Sequence, residues 1–249
     1  TMDEILNRFP PITLEEMKGV KLMNRIDTKF VTTRPRMLEL LRMLEGEYLV
    51  QEIDGAWNMP YDTIYWDTAH YDMYNAHQTG RANRQKLRFR TYLSSDLQFM
   101  EVKTKDNHGR TKKKRMEVKD MQLEESSKAS FLQQYLNYEI DALKPTIENR
   151  FERVTLVNKA KTERLTIDTN LRFQNLVSGK GLDMRDLVII ELKREGRCFS
   201  PVLAKLRDLH IHPHGFSKYC MGSALTNEAL SVNRFKRKLI EINKIRRTL

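Results

Sequence analysis

The sequence predicts an α+β fold in which basic antiparallel strands curl into a closed barrel and helices pack on its outside. Two patterns predict the strands. Over residues 62–118 apolar and charged side chains alternate with period two, and the alternation returns after Arg153. A third pattern predicts the helices: amphipathic stretches stand before, between and after the strands, available to cover apolar sheet faces.

Along the chain, Thr13 and Glu16 form a capping-box pattern that starts a short helix. Residues 29–32 read as a strand. Thr33 caps a helix with Pro35 in its first turn, where Met37, Leu38, Leu41 and Leu44 recur at helical spacing. Strands follow at 64–67, 86–90 and 100–103. His108-Gly109 makes a turn, and 113–118 is the returning arm of that hairpin. Residues 126–143 read as a helix. Strands resume at 153–157, 164–168 and 187–193, with Gly179-Lys180-Gly181 in a connecting loop, and Ser200-Pro201 opens another helix. From Ser217 the chain reads as helical to its end. Its basic tail carries a narrow apolar stripe, Leu239, Ile242 and Ile245, expected to dock outside the barrel or to reach a partner. No composition break marks a boundary, so a single domain over 1–249 is expected.

Successive strand side chains point to opposite faces. Lys86, Arg88 and Arg90 therefore share a face opposite Leu87 and Phe89. Glu101, Lys103 and Lys105 oppose Met100 and Val102. Lys113, Arg115 and Glu117 oppose Met116 and Val118. Arg164, Thr166 and Asp168 oppose Leu165 and Ile167, and Glu191 and Lys193 oppose Val188, Ile190 and Leu192. For any one strand a solvated face is the simpler account. Taken jointly, a closed sheet with helices outside brings the charged faces together in the interior, where unpaired like charges are costly unless a polyanion neutralises them. Small barrels fill their interiors with apolar side chains, so a charged lining marks a ligand tunnel. Glu101 and Glu191, set between lysines, suit a Mg²⁺ or Mn²⁺ shared with phosphate oxygens; an ion pair with an in-phase lysine accounts for either one equally well.

Composition agrees with an anionic ligand: 44 Lys+Arg against 33 Asp+Glu give a net charge of +11. Aromatic residues are 8% and form no stripe, so no stacking platform is visible and no nucleic acid is expected as partner. P-loop, GxGxxG and GxSxG motifs are absent. His210, His212 and His214 lack a second ligand group for zinc. Cys198 and Cys220 read as reduced thiols. No signal peptide is visible and no window is apolar enough to span a membrane, so a cytoplasmic domain is expected, with membrane association through a partner, or through the basic tail resting on an anionic surface, as the alternatives.

Taken in order, Arg25-Ile26-Asp27-Thr28-Lys29-Phe30, Tyr65-Trp66-Asp67-Thr68, Lys86-Leu87-Arg88-Phe89-Arg90, Glu101-Val102-Lys103, Gly109-Arg110-Thr111, Arg153, Arg164-Leu165-Thr166-Ile167-Asp168, Glu191-Leu192-Lys193 and Phe216-Ser217-Lys218-Tyr219 resemble the VTC domain, the polyphosphate polymerase branch of the CYTH-like triphosphate tunnel metalloenzymes. The resemblance implies an antiparallel eight-stranded tunnel. It implies phosphate ligands at Lys29, Arg88, Arg90, Lys103, Arg153, Arg164, Lys193 and Lys218, with Lys113 and Arg115 near a further basic position. Arg88, Arg90, Lys103 and Arg153 would be the catalytic grip. Glu191 best matches the metal glutamate, with Glu101 the weaker candidate. The implied activity is transfer of the ATP γ-phosphoryl group to polyphosphate with divalent metal, Mn²⁺ or Mg²⁺. A triphosphatase or polyphosphatase, and a polyphosphate- or RNA-binding module without turnover, are the alternatives. Two departures stand out. The superfamily opens with ExExK, and this chain has Arg25-x-Asp27-x-Lys29, which suits the polymerase branch better than a hydrolase with a second metal site. Gly215 stands where eukaryotic relatives are expected to carry another basic residue, which predicts a weaker grip at that end of the tunnel.

Overall fold

Local hydrogen bonding sets the first element ends. In the computed structural model, which describes residues 1–247, Thr1 caps α1 (Met2–Leu6), and β1 (Pro11–Thr13) leads into α2 (Leu14–Met17). The expected capping box closes: Thr13 Oγ1 accepts from the Glu16 N–H at 3.1 Å, and the Glu16 carboxylate accepts from the Thr13 N–H at 3.4 Å. β2 (Arg25–Thr33) runs into α3 (Arg34–Leu44), with Thr33 at the N-cap and Pro35 in the first turn. β3 (Tyr48–Glu52) and β4 (Met59–Thr68) follow, then α4 (Asp72–Gln78). The α4 N-terminus is held by Asp67, whose carboxylate accepts from the Met73 and Tyr74 N–H groups, each at 3.0 Å. Next come β5 (Arg84–Tyr92), β6 (Leu97–Lys105), β7 (Thr111–Val118) and α5 (Ser126–Tyr135). A 3-10 turn leads to β8 (Leu143–Asn158), β9 (Glu163–Asn175), β10 (Gly181–Asp183) and β11 (Leu187–Glu195). α6 (Pro201–Asp208), α7 (Lys218–Thr226) and α8 (Lys236–Arg247) complete the chain. The domain expected over 1–249 ends in Thr248 and Leu249, which lie outside the described residues.

Two expected elements are corrected. The helix over 126–143 stops at Tyr135, and β8 starts at Leu143 rather than Arg153. The tail is not one helix from Ser217. α7 ends at Thr226, whose carbonyl is taken by Ser178 Oγ at 2.6 Å and whose hydroxyl is held by Asn175 at 3.0 Å, and α8 begins only at Lys236.

Eight strands form a curled antiparallel half-barrel in the order β2-β11-β9-β8-β4-β5-β6-β7. The expected closed barrel is corrected: β2 and β7, at its ends, do not pair. The middle of β2's free edge is already occupied. Pro213 bridges Phe30, and the His214 N–H donates to the Lys29 carbonyl at 2.9 Å. β7 presents Lys112, Lys113, Lys114 and Arg115, all exposed, along the other edge.

Outside, Val154, Leu156, Leu165, Ile167, Val188, Ile190 and Leu192 pack against α3 and α6. Leu87, Phe89, Met100 and Val102 pack against Leu132 of α5. The expectation that all helices lie outside is corrected for α7 and α8. Tyr219, Cys220 and Met221 of α7 and Ile242 of α8 join Tyr65, Ile147, Phe151, Phe173, Leu187 and Ile189, which share a sheet face with the trough charges. Ile242 is fully buried and Leu239 and Ile245 pack beside it, so the tail's apolar stripe docks on the protein itself. These helices cover part of the concave side, beside the charged side chains. No helix among the described residues is long and apolar enough to cross a membrane.

The approach of α7 depends on one glycine. A Cβ on Gly222 would meet two carbons of the buried Phe173 ring at 2.4 Å. Gly222→Ala is expected to destabilise the fold by about 1–3 kcal/mol through overpacking. Urea unfolding measures this; an unchanged midpoint would mean that α7 is free to shift.

Candidate polyanion-binding trough

Strand phase carries the charged residues to the concave face. On the β5–β6–β7 wall, Arg88, Glu101 and Arg115 stand directly opposite one another, and Lys86, Lys103 and Lys113 form the next row. Glu101 is 1% exposed. It accepts from Arg88 Nε at 2.9 Å, with Lys113 Nζ at 3.2 Å and Arg90 Nε at 3.9 Å. Burial alone would raise its pKa, but these three cations outweigh it and hold the carboxylate down at about 2. Arg90 is itself buried and lies over the Tyr61 and Phe151 rings at 5.4 and 5.6 Å; burial and the nearby Arg88 and Arg153 push it down to about 10. Arg115 lies over Phe99 at 4.3 Å.

On the facing wall, Arg153 grips Asp168 with both prongs, Nε to Oδ1 at 2.7 Å and Nη2 to Oδ2 at 2.9 Å. Lys218, the first residue of α7, reaches the same carboxylate at 2.6 Å and lies over Phe151 at 4.4 Å. Asp168 is 2% exposed. Burial opposes its charge, yet Arg153 and Lys218 hold it well below the usual carboxylate range. Glu191 stands between Thr166 and Lys29 in register. It pairs with Lys193, which also holds Asp27 Oδ2 at 2.9 Å, and Asp27 in turn pairs with Arg25 at 2.8 Å. Against the effect of burial, Lys29, Lys193 and Lys103 hold Glu191 at about 2.

The walls meet electrostatically at Lys103. Burial, then Arg88 on its own wall and Lys29 on the other, push this ammonium down to about 6, while Glu191 across the trough acts in the opposite sense. Among the sequence-predicted residues, Lys29, Arg88, Arg90, Lys103, Lys113, Arg115, Arg153, Lys193, Lys218, Glu101 and Glu191 thus gather on one surface. Arg164 shares the face, opposite Lys193, but its Nη2 donates to the Val20 carbonyl at 3.3 Å. Sequence reading put Asp168 and Lys86 on the charged faces without a site role, and left out the Tyr61 and Phe151 rings beneath the arginines. The first two were visible in strand phase; the rings required the fold.

The fit of a divalent metal can be tested on the carboxylates. Among the described residues no three His, Cys, Asp or Glu side chains converge into a cage. The Glu101 carboxylate is taken up by three cations. Glu191 and Asp27 share the Lys193 ammonium, so a monovalent cation already stands where both can be reached. One or two carboxylates suit a hydrated ion brought in with phosphate oxygens rather than an all-protein site.

No curated protein matches the chain significantly. Among solved structures it is similar to a candidate adenylyl cyclase from Hippeastrum described as revealing a dominant triphosphatase activity, with 16% identity and a TM-score of 0.50 over 84% of this chain and 99% of that one. It is also similar to a candidate adenylate cyclase from Bacillus halodurans, with 14% identity and a TM-score of 0.49 over 78% and 96%. At such identities the likeness concerns the fold alone. The family comparison reaches further: the VTC domain profile matches residues 24–227 of the 249, across both walls and α7, and the chain belongs to the VTC domain family.

Proposed function

We propose that the trough binds the phosphate chains of ATP and polyphosphate, and transfers the γ-phosphoryl group of ATP to the end of a polyphosphate chain with a divalent metal. The observation that carries this reading is the row Lys86–Lys103–Lys113. Three lysines stand side by side across three strands, Lys86 and Lys103 within electrostatic reach of Lys29, and Glu101 pairs with Lys113 beside them. An extended anion stabilises such a lining.

In this reading a terminal polyphosphate oxygen attacks Pγ, the bond from Pγ to the β–γ bridging oxygen breaks, and ADP leaves with that electron pair. No protein base is needed, because the nucleophile is already an anion. The protein's part is position and charge. Glu101 and Asp168 hold Arg88 and Arg153 in fixed orientations, and the Tyr61 and Phe151 rings support Arg90 and Arg153 from below. Lys29, Lys103 and Lys113 supply point charges along the chain. Glu191, with Asp27 beside it, would hold the metal, which when bound neutralises phosphate oxygens.

Incubation of the protein with ATP and Mn²⁺, resolved on a polyphosphate gel with parallel measurement of released phosphate, tests the reading. Polymer is expected. Phosphate without polymer would make the chain a triphosphatase, the activity described for the Hippeastrum protein. Binding without either product would leave a binding module.

The lysines also set a pH dependence. Free Lys103, pushed down by burial, Arg88 and Lys29 to about 6, is mostly neutral above neutral pH. A bound polyanion favours the ammonium, raising its pKa, so binding takes up a proton and affinity falls as pH rises above 7. Calorimetry in buffers of different ionisation heat is expected to find less proton uptake in Lys103→Met than in the parent. Equal uptake would mean that Lys103 is already charged.

A further inference from the structure

Beyond the central grip stands a second group of cations: Arg84 and Lys86 on β5, Lys105 on β6 and Lys238 on α8. Arg84 and Lys105 are directly opposite each other in the sheet, and Lys86 lies one step further in on the same face. All four surround His77 of α4, which burial and these four charges push down to about 2. All are half-buried. Among the described residues none of the four has a carboxylate within 4 Å; the nearby acids are committed elsewhere, Glu101 to Arg88 and Lys113, and Glu241 to His214 and Arg237.

Lys238 arrives there for a reason legible in the backbone. Gly215 has no side chain, and the atom nearest to where its Cβ would stand is Lys238 Nζ, at 3.0 Å. The next residue, Phe216, offers its carbonyl to Lys29 Nζ at 3.2 Å. The ammonium of α8 therefore stands where a longer residue at 215 would begin, one residue from the carbonyl that Lys29 holds. Burial of Phe235 and Ile242 and the 3.1 Å contact of His214 with Glu241 hold α8 in place. Lys238, twenty-three positions later in the chain, thus brings a positive charge to the place where Gly215 lacks one.

We propose that Arg84, Lys105 and Lys238, together with Lys86 at the end of the central lysine row, form a second phosphate subsite in the trough, receiving the phosphates of a long chain beyond those held by Arg88, Arg90 and Arg153. The inference rests on the polyphosphate reading of the trough. Its chemistry is that of the central grip without the carboxylates: four half-buried cations, of which Arg84 donates only to the Arg81 carbonyl at 2.9 Å, repel one another, and a polyanion relieves that repulsion. Arg84 lies four residues from Arg88, roughly 13 Å along the strand. A triphosphate held at Arg88 and Arg90 does not reach it; a longer chain does.

The test compares two probes on the full chain, tripolyphosphate and long-chain polyphosphate, by titration calorimetry. Lys238→Ala is expected to weaken the long chain about tenfold, as the loss of one charge-assisted contact does, and to leave tripolyphosphate within about twofold. If the substitution lowers the melting temperature, Lys105→Met, on a strand rather than on α8, makes the same comparison. Long-chain affinity unchanged in both variants overturns the subsite, and so does an equal loss for both probes. If the parent protein binds neither probe, the polyphosphate reading itself falls and takes the subsite with it.

Discussion

Glu191→Gln is expected to lose metal-dependent turnover by roughly a thousandfold, the several kcal/mol that a metal contributes to phosphoryl transfer, while polyphosphate affinity stays level or rises. The replacement keeps size and shape and removes one negative charge. Lys193 retains Asp27 at 2.9 Å, so the wall keeps its local order. Lys29 and Lys103 lose a carboxylate that both face, and the trough becomes more positive, which favours a polyanion. Rates with ATP and Mn²⁺ and calorimetric affinities on the same preparation separate the two effects. Full activity would move the metal to Asp27 or Glu101; parallel loss of rate and binding would make Glu191 a structural residue.

Asp168→Ala is expected to cost about 3 kcal/mol of stability, because it strands two cations against the sheet, and to lower the melting temperature by roughly 6–12 °C. The parent residue contributes charge compensation to both Arg153 and Lys218 at 2.6–2.9 Å. Its folded pKa lies below the ordinary value, so that stability is fully present above the unfolded carboxylate pKa and is lost as pH falls through the folded one. The variant should therefore show a shallower acid limb in its stability profile. Polyphosphate should raise its melting temperature more than the parent's, since the ligand supplies the missing anion. Melting curves with and without ligand decide this; an unchanged curve would mean that solvent already screens the pair.

The trough was legible in the sequence to the extent that strand phase is local. Lys86, Arg88 and Arg90 alternate with Leu87 and Phe89, and no tertiary contact is needed to place them on one face. The first half of β8 was not legible. Pro145 interrupts the alternation, and a bulge between Arg150 and Glu152 shifts the register, so apolar period and side-chain direction part company there. α4 was missed because its N-cap residue, Tyr71, takes a left-handed conformation and the capping carboxylate comes from Asp67, outside the usual cap position. The open seam was missed because what occupies the edge of β2 is a bridge from Pro213, nearly two hundred residues away. Lys238 was read only as part of a basic tail, since its position beside Gly215 depends on how α8 lies across the concave side.

The edges of β2 and β7 do not pair with each other, and this would change how a bound polymer moves. A closed tube admits a chain only by its ends, and every residue of the polymer must pass the same ring of charges. A trough with a seam would admit it sideways where the edge is free, outside the stretch of β2 that Pro213 and His214 cover, and would release it the same way. The run from Lys112 to Arg115 on the free strand serves this twice. It repels the matching edge of another copy, so the strand stays unpaired, and it presents a rail of positive charge at the entrance. Under the proposed polymerase activity, product length would be governed by how often the chain lifts off its bed, a quantity that ionic strength tunes directly.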